Sequence, residues 1–497
     1  MTVILPYAST VREIARALEA REVSKYSAQS FFLKVCQLMG LPTSPRKIKQ
    51  SLASAKHAVT ALVNDGWVDF YYNEGSYSWY IIPTSAERAK MTARPVGAGQ
   101  VRESWHLPAD SLHMQAAKLM AQRKYIPNAE RVKTLKAKLN EGIVFSEGKW
   151  KKLDEAPTEE EKAKLEEQKA IAEALDTLGA ASFDVACDDR GRFYLAGGLI
   201  SPQAGRLMRW VYTADDEVTL DHRTSFAQIL ALLYGLPDLG IKCGIGTEAP
   251  CDLYTGILKA AGIDADHDSP ERKVCKKIVM PMAYGQSAKN AQKEAEELGK
   301  SLGIEPDRLR KVIDAALKAA KAFEKLSFDA RRFAQECADD GEQPQWVTPS
   351  GFKACKEYTT RRRVEWCTGD DSGETMPCSM TFLIPTKVIA TQSNAELGYK
   401  SVLVATAANI VQSLDAALMA RVVVRFHKET GEVPFTIHDS YTVSAKNADA
   451  LRHIVADEMG ALCSSREMDE IRRELRIPRG RLGRLDFGRM NPLDKEA

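Results

Sequence analysis

The segment VPFTIHDSYTVSA (433–445) constrains the fold more than any other stretch of the chain. Two runs rich in β-branched and aromatic residues flank His438-Asp439-Ser440, a spacing that admits only a tight antiparallel turn. Asp439 is therefore expected at a hairpin tip, with its carboxylate exposed. A second segment, EVTLDHRTSFAQILALLYG (217–235), reads as a strand ending at Asp221 that passes at once into an amphipathic helix. Singly, an Asp at a strand end is more often a turn residue or a helix cap. Two such acids on adjacent strand ends are also what a pair of Mg²⁺ ions needs, because hard cations take oxygen ligands and two ions can stabilise both oxygens of a phosphoryl transfer.

A third segment, ERKVCKKIVMPMAYGQSAKN (271–290), bears on these readings; alone it reads more readily as two surface cations and a buried Tyr, and its weight comes from standing with the other two. At roughly 100° per residue, Arg272, Lys276 and Tyr284 fall within about one third of a helix surface. Two cations and a ring on one face can hold a triphosphate by charge and a base or sugar by stacking.

Composition sets the limits. With 497 residues, 44% hydrophobic and 27% charged, and no 18-residue apolar run, the chain reads as globular, neither disordered nor an integral membrane protein. About three folding units are expected. The net charge of +2 leaves any polyanion to be met by local patches. The ten cysteines include no CxxC pair, so reduced thiols are expected rather than a zinc cage. The opening MTVILPYASTVREI lacks the marks of a secretory signal, and a cytoplasmic protein is expected.

Along the chain, 8–65 reads helical and is followed by a hairpin, WVDFYY (67–72) and YSWYII (77–82), closed by Pro83. Helices before a two-stranded wing fit a winged-helix module and fit a small helical domain with a packing hairpin equally well. Residues 105–180 again read helical, with a capping box from Thr158 to Glu161. Beyond 180, short strands (ASFDVAC, GRFYLAG, EVTLD, VTPSGF) alternate with helices at 223–235, 285–303 and 305–337, and the fold class is α+β.

Taken in order, these segments resemble the single-subunit DNA-directed RNA polymerases of bacteriophages and mitochondria. Asp221, Ser225 and Gln228 match the family's Asp-Gly-x-Cys-Ser-Gly-x-Gln. Arg272, Lys276, Tyr284 and Gly285 match its Arg-x-x-x-Lys with a following Tyr-Gly, and His438, Asp439 and Ser440 its His-Asp-Ser. DDRGRFY (188–194) with SPQ (201–203), WVTPSGF (346–352) and NIVQSLDAALM (409–419) resemble further family segments.

The resemblance implies a right-hand fold of palm, fingers and thumb behind a small, mainly helical N-terminal domain. The expected boundaries are 1–100 for that module, 101–180 for a thumb-like region, 181–260 for the first part of the palm, 261–345 for the fingers and 346–497 for the rest of the palm. The last part would include a DNA-contacting hairpin at 354–388. Asp221 and Asp439 would ligate two Mg²⁺, Arg272 and Lys276 hold the incoming nucleoside triphosphate, and Tyr284 check its sugar. His438 would sit beside the metal-binding acid. Arg192, Tyr194 and Gln412 would contact the DNA template or the RNA hybrid, and Arg361, Arg362 and Arg363 the DNA. Bacterial host cytoplasm is the implied location of such a viral enzyme, with no membrane partner.

The chain departs from the family in four ways. Only residues 195–220 separate Tyr194 from Asp221, and the N-terminal part is too short for the usual promoter-binding domain, so promoter melting calls for an accessory protein, a second subunit or a single-stranded template. Pro281 interrupts the fingers helix and predicts a kink. Phe226 replaces a glycine and could act as a steric gate, while Gln412 replaces a histidine. Phe226 keeps open a DNA polymerase or primer-synthesising relative, against which stands the Ser of His-Asp-Ser. An inactive nucleic-acid-binding relative is the remaining alternative. Seven arginines in 471–490 (472, 473, 476, 479, 481, 484 and 489) form the densest basic patch, expected to meet phosphate.

Overall fold

A computed structural model describes residues 26–27, 68–73 and 78–83 and most of 99–495; it leaves out 102–103, 105, 147, 155, 196–199, 250–251, 341–343, 356–358, 370–374, 386–397, 478–482 and 489, and the side chains of 26–27, 68–73, 78–83, 159–160, 163, 170, 338–339, 359–369, 375–385, 398–404 and 495. The helices expected over 8–65 lie outside the described residues. Their hairpin is described: β2 (Val68–Asn73) pairs antiparallel with β3 (Ser78–Pro83), and a short β1 (Tyr26–Ser27) adds to the other side of β3.

Between 105 and 180 the expected helical region holds α1 (Leu112–Gln122), α2 (Ala129–Asn140) and α3 (Glu159–Leu178), and with them an unexpected hairpin of β4 (Ile143–Ser146) and β5 (Lys149–Lys152). The capping box forms: Glu161 N donates to the Thr158 hydroxyl at 3.2 Å, and Thr158 N donates to Glu161 at 3.0 Å. The charged helix α3 packs back on the hairpin, where the Gln168 amide makes both a donated and an accepted bond with the Phe145 backbone.

The body opens with β6 (Val185–Cys187), β7 (Phe193–Leu195), α4 (Arg206–Tyr212), β8 (Glu217–His222) and α5 (Ser225–Tyr234). There follow α6 (Pro237–Lys242), α7 (Leu253–Ala260), α8 (Pro270–Ala283), α9 (Ala288–Ser301), α10 (Pro306–Ala320) and α11 (Glu324–Asp339). The single helix expected at 305–337 is divided by a 3₁₀ turn at Lys321–Phe323, which carries Phe323 into the core against Phe226, ring centroids 5.7 Å apart. The stretch VTPSGF is mostly turn: β9 (Gln345–Val347) and β10 (Lys353–Cys355) pair across it. Then come β11 (Thr359–Gly369), β12 (Thr375–Pro385), α12 (Gly398–Thr430), β13 (Phe435–Ile437), β14 (Ser440–Ser444), α13 (Ala448–Cys463), α14 (Arg466–Glu474) and β15 (Leu493–Lys495).

Two features position everything else. One is an antiparallel sheet in the order β13-β14-β8-β15, whose fourth strand the sequence reading did not anticipate. The other is α12, which packs against α1, α5, α11 and α13. Over Ala405–Thr430 this helix is long and apolar enough to cross a membrane, contrary to the expectation that no such stretch exists, and 78% of its most apolar window is buried inside the fold. Val411, Leu414, Leu418, Met419, Val422, Val423 and Phe426 are each at most 1% exposed. Each such side chain contributes about 1.5–3 kcal/mol by leaving water, which makes α12 the core helix.

Candidate active site

The sheet places the two predicted acids side by side. Asp221, the penultimate residue of β8, pairs in register with Ser440, so Asp439 sits one residue away, in the turn that leads into the adjoining strand β14. The ladder continues past the turn, where His222 N donates to the Asp439 carbonyl at 3.1 Å. Both acids are half-buried, and Asp439 is less exposed than the hairpin-tip reading implied. At the turn, His438 takes a φ of +52°, a left-handed conformation uncommon outside glycine. The Ser440 hydroxyl donates to Ile437 O at 3.0 Å and closes the turn.

On the other strand, the passage from β8 to α5 is equally abrupt. Thr224 has a φ of +62°, a costly conformation for a β-branched residue, of order 1–3 kcal/mol. Its carbonyl accepts from Ala227 and Gln228, which starts α5 within three residues of Asp221. Gln228 is fully buried and fixes this corner: its amide donates to Cys243 O at 2.8 Å and Pro492 O at 2.9 Å, and its oxygen lies 2.7 Å from His222 Nδ1.

A third carboxylate that the sequence reading passed over lies beside these two. Asp415, on α12, is 4% exposed, hydrogen-bonded by Ser225 and 3.7 Å from an Arg192 guanidinium nitrogen. Burial first, and the negative charge of Asp439 second, push its carboxyl up to about 7 against the pull of Arg192 and Ser225. Burial first, and then the charges of Asp415, Asp439 and Asp221, raise the pKa of the Tyr441 hydroxyl. The signal available in the sequence was an acid on the apolar face of NIVQSLDAALM.

Arg192 and Tyr194 come from the β6–β7 hairpin. Asp188 organises its turn, accepting from the backbone of Arg190 and Arg192 at 3.0 Å each and from the Tyr194 hydroxyl at 3.2 Å. Gly191 is required there: its φ is +83°, and a Cβ would meet His113 and Phe352 at 3.1 Å. Tyr194 meets His438 edge-on at 5.6 Å, and Arg190 donates to Gln412 at 2.6 Å. Gln412 therefore joins the cluster through Arg190. Among the described residues the buried His438 Nδ1 has no hydrogen-bond partner, and burial leads the causes that lower its pKa.

The face of α8 completes the enclosure. Helix α8 continues through Pro281 to Ala283 and ends in a Schellman motif, Gln286 N donating to Pro281 O at 3.0 Å and Gly285 N to Met282 O at 3.0 Å. Gly285, with a φ of +93°, permits this ending and fixes Tyr284 at the cap. The Tyr284 ring meets Phe226 at 5.9 Å, and its hydroxyl, raised by burial, feels Asp415, Arg192 and Asp439. Phe226 is 3% exposed between Tyr284 and Phe323.

The two cations of α8 differ. Lys276 is exposed, and no ion pair among the described residues engages it. Arg272 is held by Asp252 in an ion pair at 2.6 Å. Arg361, Arg362 and Arg363 lie on β11 opposite Leu383, Phe382 and Thr381, so 361 and 363 share one face of the ribbon and 362 the other. The basic C-terminal patch loses Arg472, which is 6% exposed and donates to carbonyls of α5 and α13.

Half-buried carboxylates on adjoining strands form a hard oxygen donor set. Among the described residues no group of three or more His, Cys, Asp or Glu side chains is arranged to hold a metal. Such a set suits Mg²⁺, which usually takes one or two carboxylates and completes its shell with water and phosphate oxygens.

Residues 261–479 match the DNA-dependent RNA polymerase family. No curated protein matches the sequence. Among solved structures, the POL domain of Pol1 from M. smegmatis, in complex with DNA primer-template and dNTP, is similar at 13% identity and a TM-score of 0.42, over 91% of this chain and 76% of that one.

Proposed function

We propose, from the match of residues 261–479 to the DNA-dependent RNA polymerase family, that the chain makes RNA from ribonucleoside triphosphates on a DNA template by two-metal nucleotidyl transfer. The observation that carries this reading is the pairing of β8 with β14, which sets Asp221 next to the Asp439 turn. In this reading the four-stranded sheet is the palm, 261–345 the fingers and 101–180 the thumb. The β11–β12 ribbon lies against DNA, and promoter opening is left to a partner or to a template already single-stranded.

Asp221 and Asp439 would hold the Mg²⁺ ions, whose charge, when bound, neutralises that developing on the phosphates. The chain's own work is positioning. Arg272 and Lys276 align the triphosphate, and Tyr284 and Phe226 close one side of the nucleotide site with apolar surface. His438 and Tyr194, in edge contact, brace the turn that carries Asp439. Asp415 holds Arg192 and Ser225, one from the β6–β7 hairpin and one from the start of α5.

The test is synthesis by the purified chain on single-stranded DNA with Mg²⁺, ribonucleotides against deoxynucleotides. Ribonucleotide product is expected, and Asp221→Ala and Asp439→Ala should each abolish it while the circular-dichroism melt and template binding persist. Appreciable turnover in either variant would sink the metal assignment, and product from deoxynucleotides alone would move the chain among DNA polymerases.

A further inference from the structure

Building on the reading of Arg272 as a triphosphate ligand, we infer that Asp252 and Tyr254 are positioning residues: they grip the Arg272 guanidinium on one edge and one face and leave its opposite edge to a phosphate. Neither residue belongs to the motifs that suggested the activity. Both stand at the start of α7, Asp252 as its cap and Tyr254 in its first turn.

The grip is built from divided labour on one carboxylate. Asp252 Oδ1 caps α7, accepting from Tyr254 N at 2.8 Å and Thr255 N at 3.0 Å. Its Oδ2 accepts from Arg272 Nε at 2.7 Å and lies 2.6 Å from Arg272 Nη2. Because the cap fixes the carboxylate to the helix backbone, Oδ2 is a stationary anchor. The Tyr254 ring lies beneath the guanidinium, 5.3 Å from its central carbon, and adds a cation–π contact that holds the plane.

A guanidinium carries five N–H donors in a rigid fork. The Nε side of that fork is spent on Asp252, so the end formed by Nη1 and the outer hydrogen of Nη2 is what the clamp presents, the edge that grips a phosphate bidentately. The side chains of Arg272 and Asp252 are 15% and 19% exposed, so the pair is sheltered from water and stronger than a surface salt bridge. Burial works to raise the Asp252 pKa, but the Arg272 hydrogen bond and the helix amides outweigh it, and the carboxylate stays charged at neutral pH. One helical turn further on, Lys276 is exposed and supplies a mobile charge beside the fixed one.

The test is a double-mutant cycle with the fluorescent nucleotide mant-GTP and Mg²⁺, read as binding affinity and, separately, as KM and kcat. Asp252→Asn keeps the helix cap on its amide oxygen, since Asn caps as well as Asp, and turns its NH2 toward the arginine, so the charge and the acceptor of the grip are lost together. It should weaken nucleotide binding and raise KM by about tenfold with kcat changed less than about twofold. In an Arg272→Ala background the same substitution should do nothing further, because its effect runs through the arginine. Tyr254→Leu should act in the same direction, and Tyr254→Phe should behave as native.

Full nucleotide affinity in Arg272→Ala would refute the triphosphate reading itself and the clamp with it. A weak Arg272→Ala with a native-like Asp252→Asn would refute the clamp alone. Tighter binding in Asp252→Asn would make Asp252 a competitor of the phosphate, also against the inference, as would an equal loss in both backgrounds.

Discussion

At the scale of single residues the site is governed by what Phe226 touches. It occupies the second position of α5, is 3% exposed, and meets Tyr284 at 5.9 Å and Phe323 at 5.7 Å. A ring so confined cannot swing aside without displacing both neighbours, so it is a fixed wall beside Tyr284 rather than a flap. Phe226→Gly is expected to relax the choice between ribo- and deoxyribonucleotides by about tenfold, the scale of 1–3 kcal/mol for a reshaped apolar contact. The check is the ratio of kcat/KM for the two sugars on one template. An unchanged ratio would leave Phe226 as a packing residue.

At the scale of elements, α5 is fixed at its start by the residue that precedes it and at its end by a group distant in sequence. Its first turn is set by the strained Thr224, and its last carbonyls, which no helix can satisfy internally, are met by Arg472 of α14. Arg472 donates to Leu232 O at 2.7 Å, Leu233 O at 3.0 Å and Cys463 O at 2.9 Å, and pairs with Asp469 at 3.0 Å. Arg472→Ala should lower stability by about 3–5 kcal/mol, read as the shift in a urea midpoint, because it strips several buried groups of their partner at once. Lys cannot reproduce the fork and should rescue little.

The same element shows what was legible in the sequence. The turn at His438-Asp439-Ser440, the strand into Asp221 and the Arg272 helix could be read, because each is a local pattern of period two or 3.6 broken by a polar residue. Asp415 was hidden because one acid in a helix reads as surface until the helix proves to be core. The 3₁₀ turn at Lys321–Phe323 contains neither Gly nor Pro, and what marks it is the packing of Phe323 on Phe226, a contact distant in sequence. Strand β15, three residues of which two are charged, is a strand only by virtue of its neighbour β8.

At the scale of the molecule, stability is tied to pH through a histidine where three distant segments meet. His113 of α1 is fully buried, stacked on Phe193 at 4.5 Å, with Nε2 donating to Gly191 O at 2.8 Å and Nδ1 accepting from Ser350 at 2.8 Å. Burial pushes its imidazole down to about 4, against the Gly191 bond and the charge of Asp188. The folded state keeps this ring neutral while the unfolded chain protonates it near its ordinary 6.5. Between those values the unfolded state binds the extra proton, and stability falls as pH falls; above 6.5 this contribution is fully present. At about 1.4 kcal/mol per pKa unit the loss amounts to roughly 3 kcal/mol by pH 4. Urea midpoints from pH 7.5 to 4 should show a shallower decline in His113→Gln than in the native chain, and parallel curves would contradict the assignment.

The place of β15 has a consequence for how the protein comes into being. Asp221 lies opposite Ser440 on one side and Asp494 on the other, and Pro492 receives one of the bonds that fix Gln228. A ribosome that has delivered β8 has therefore delivered neither of its neighbours. The growing polypeptide must carry that strand with both edges open until hundreds of further residues have emerged, and closing such distant pairs is slow. Any product of interrupted translation or of cleavage upstream of 492 lacks one flank of the catalytic strand. The sheet that carries Asp221 is thus completed late in the life of the chain.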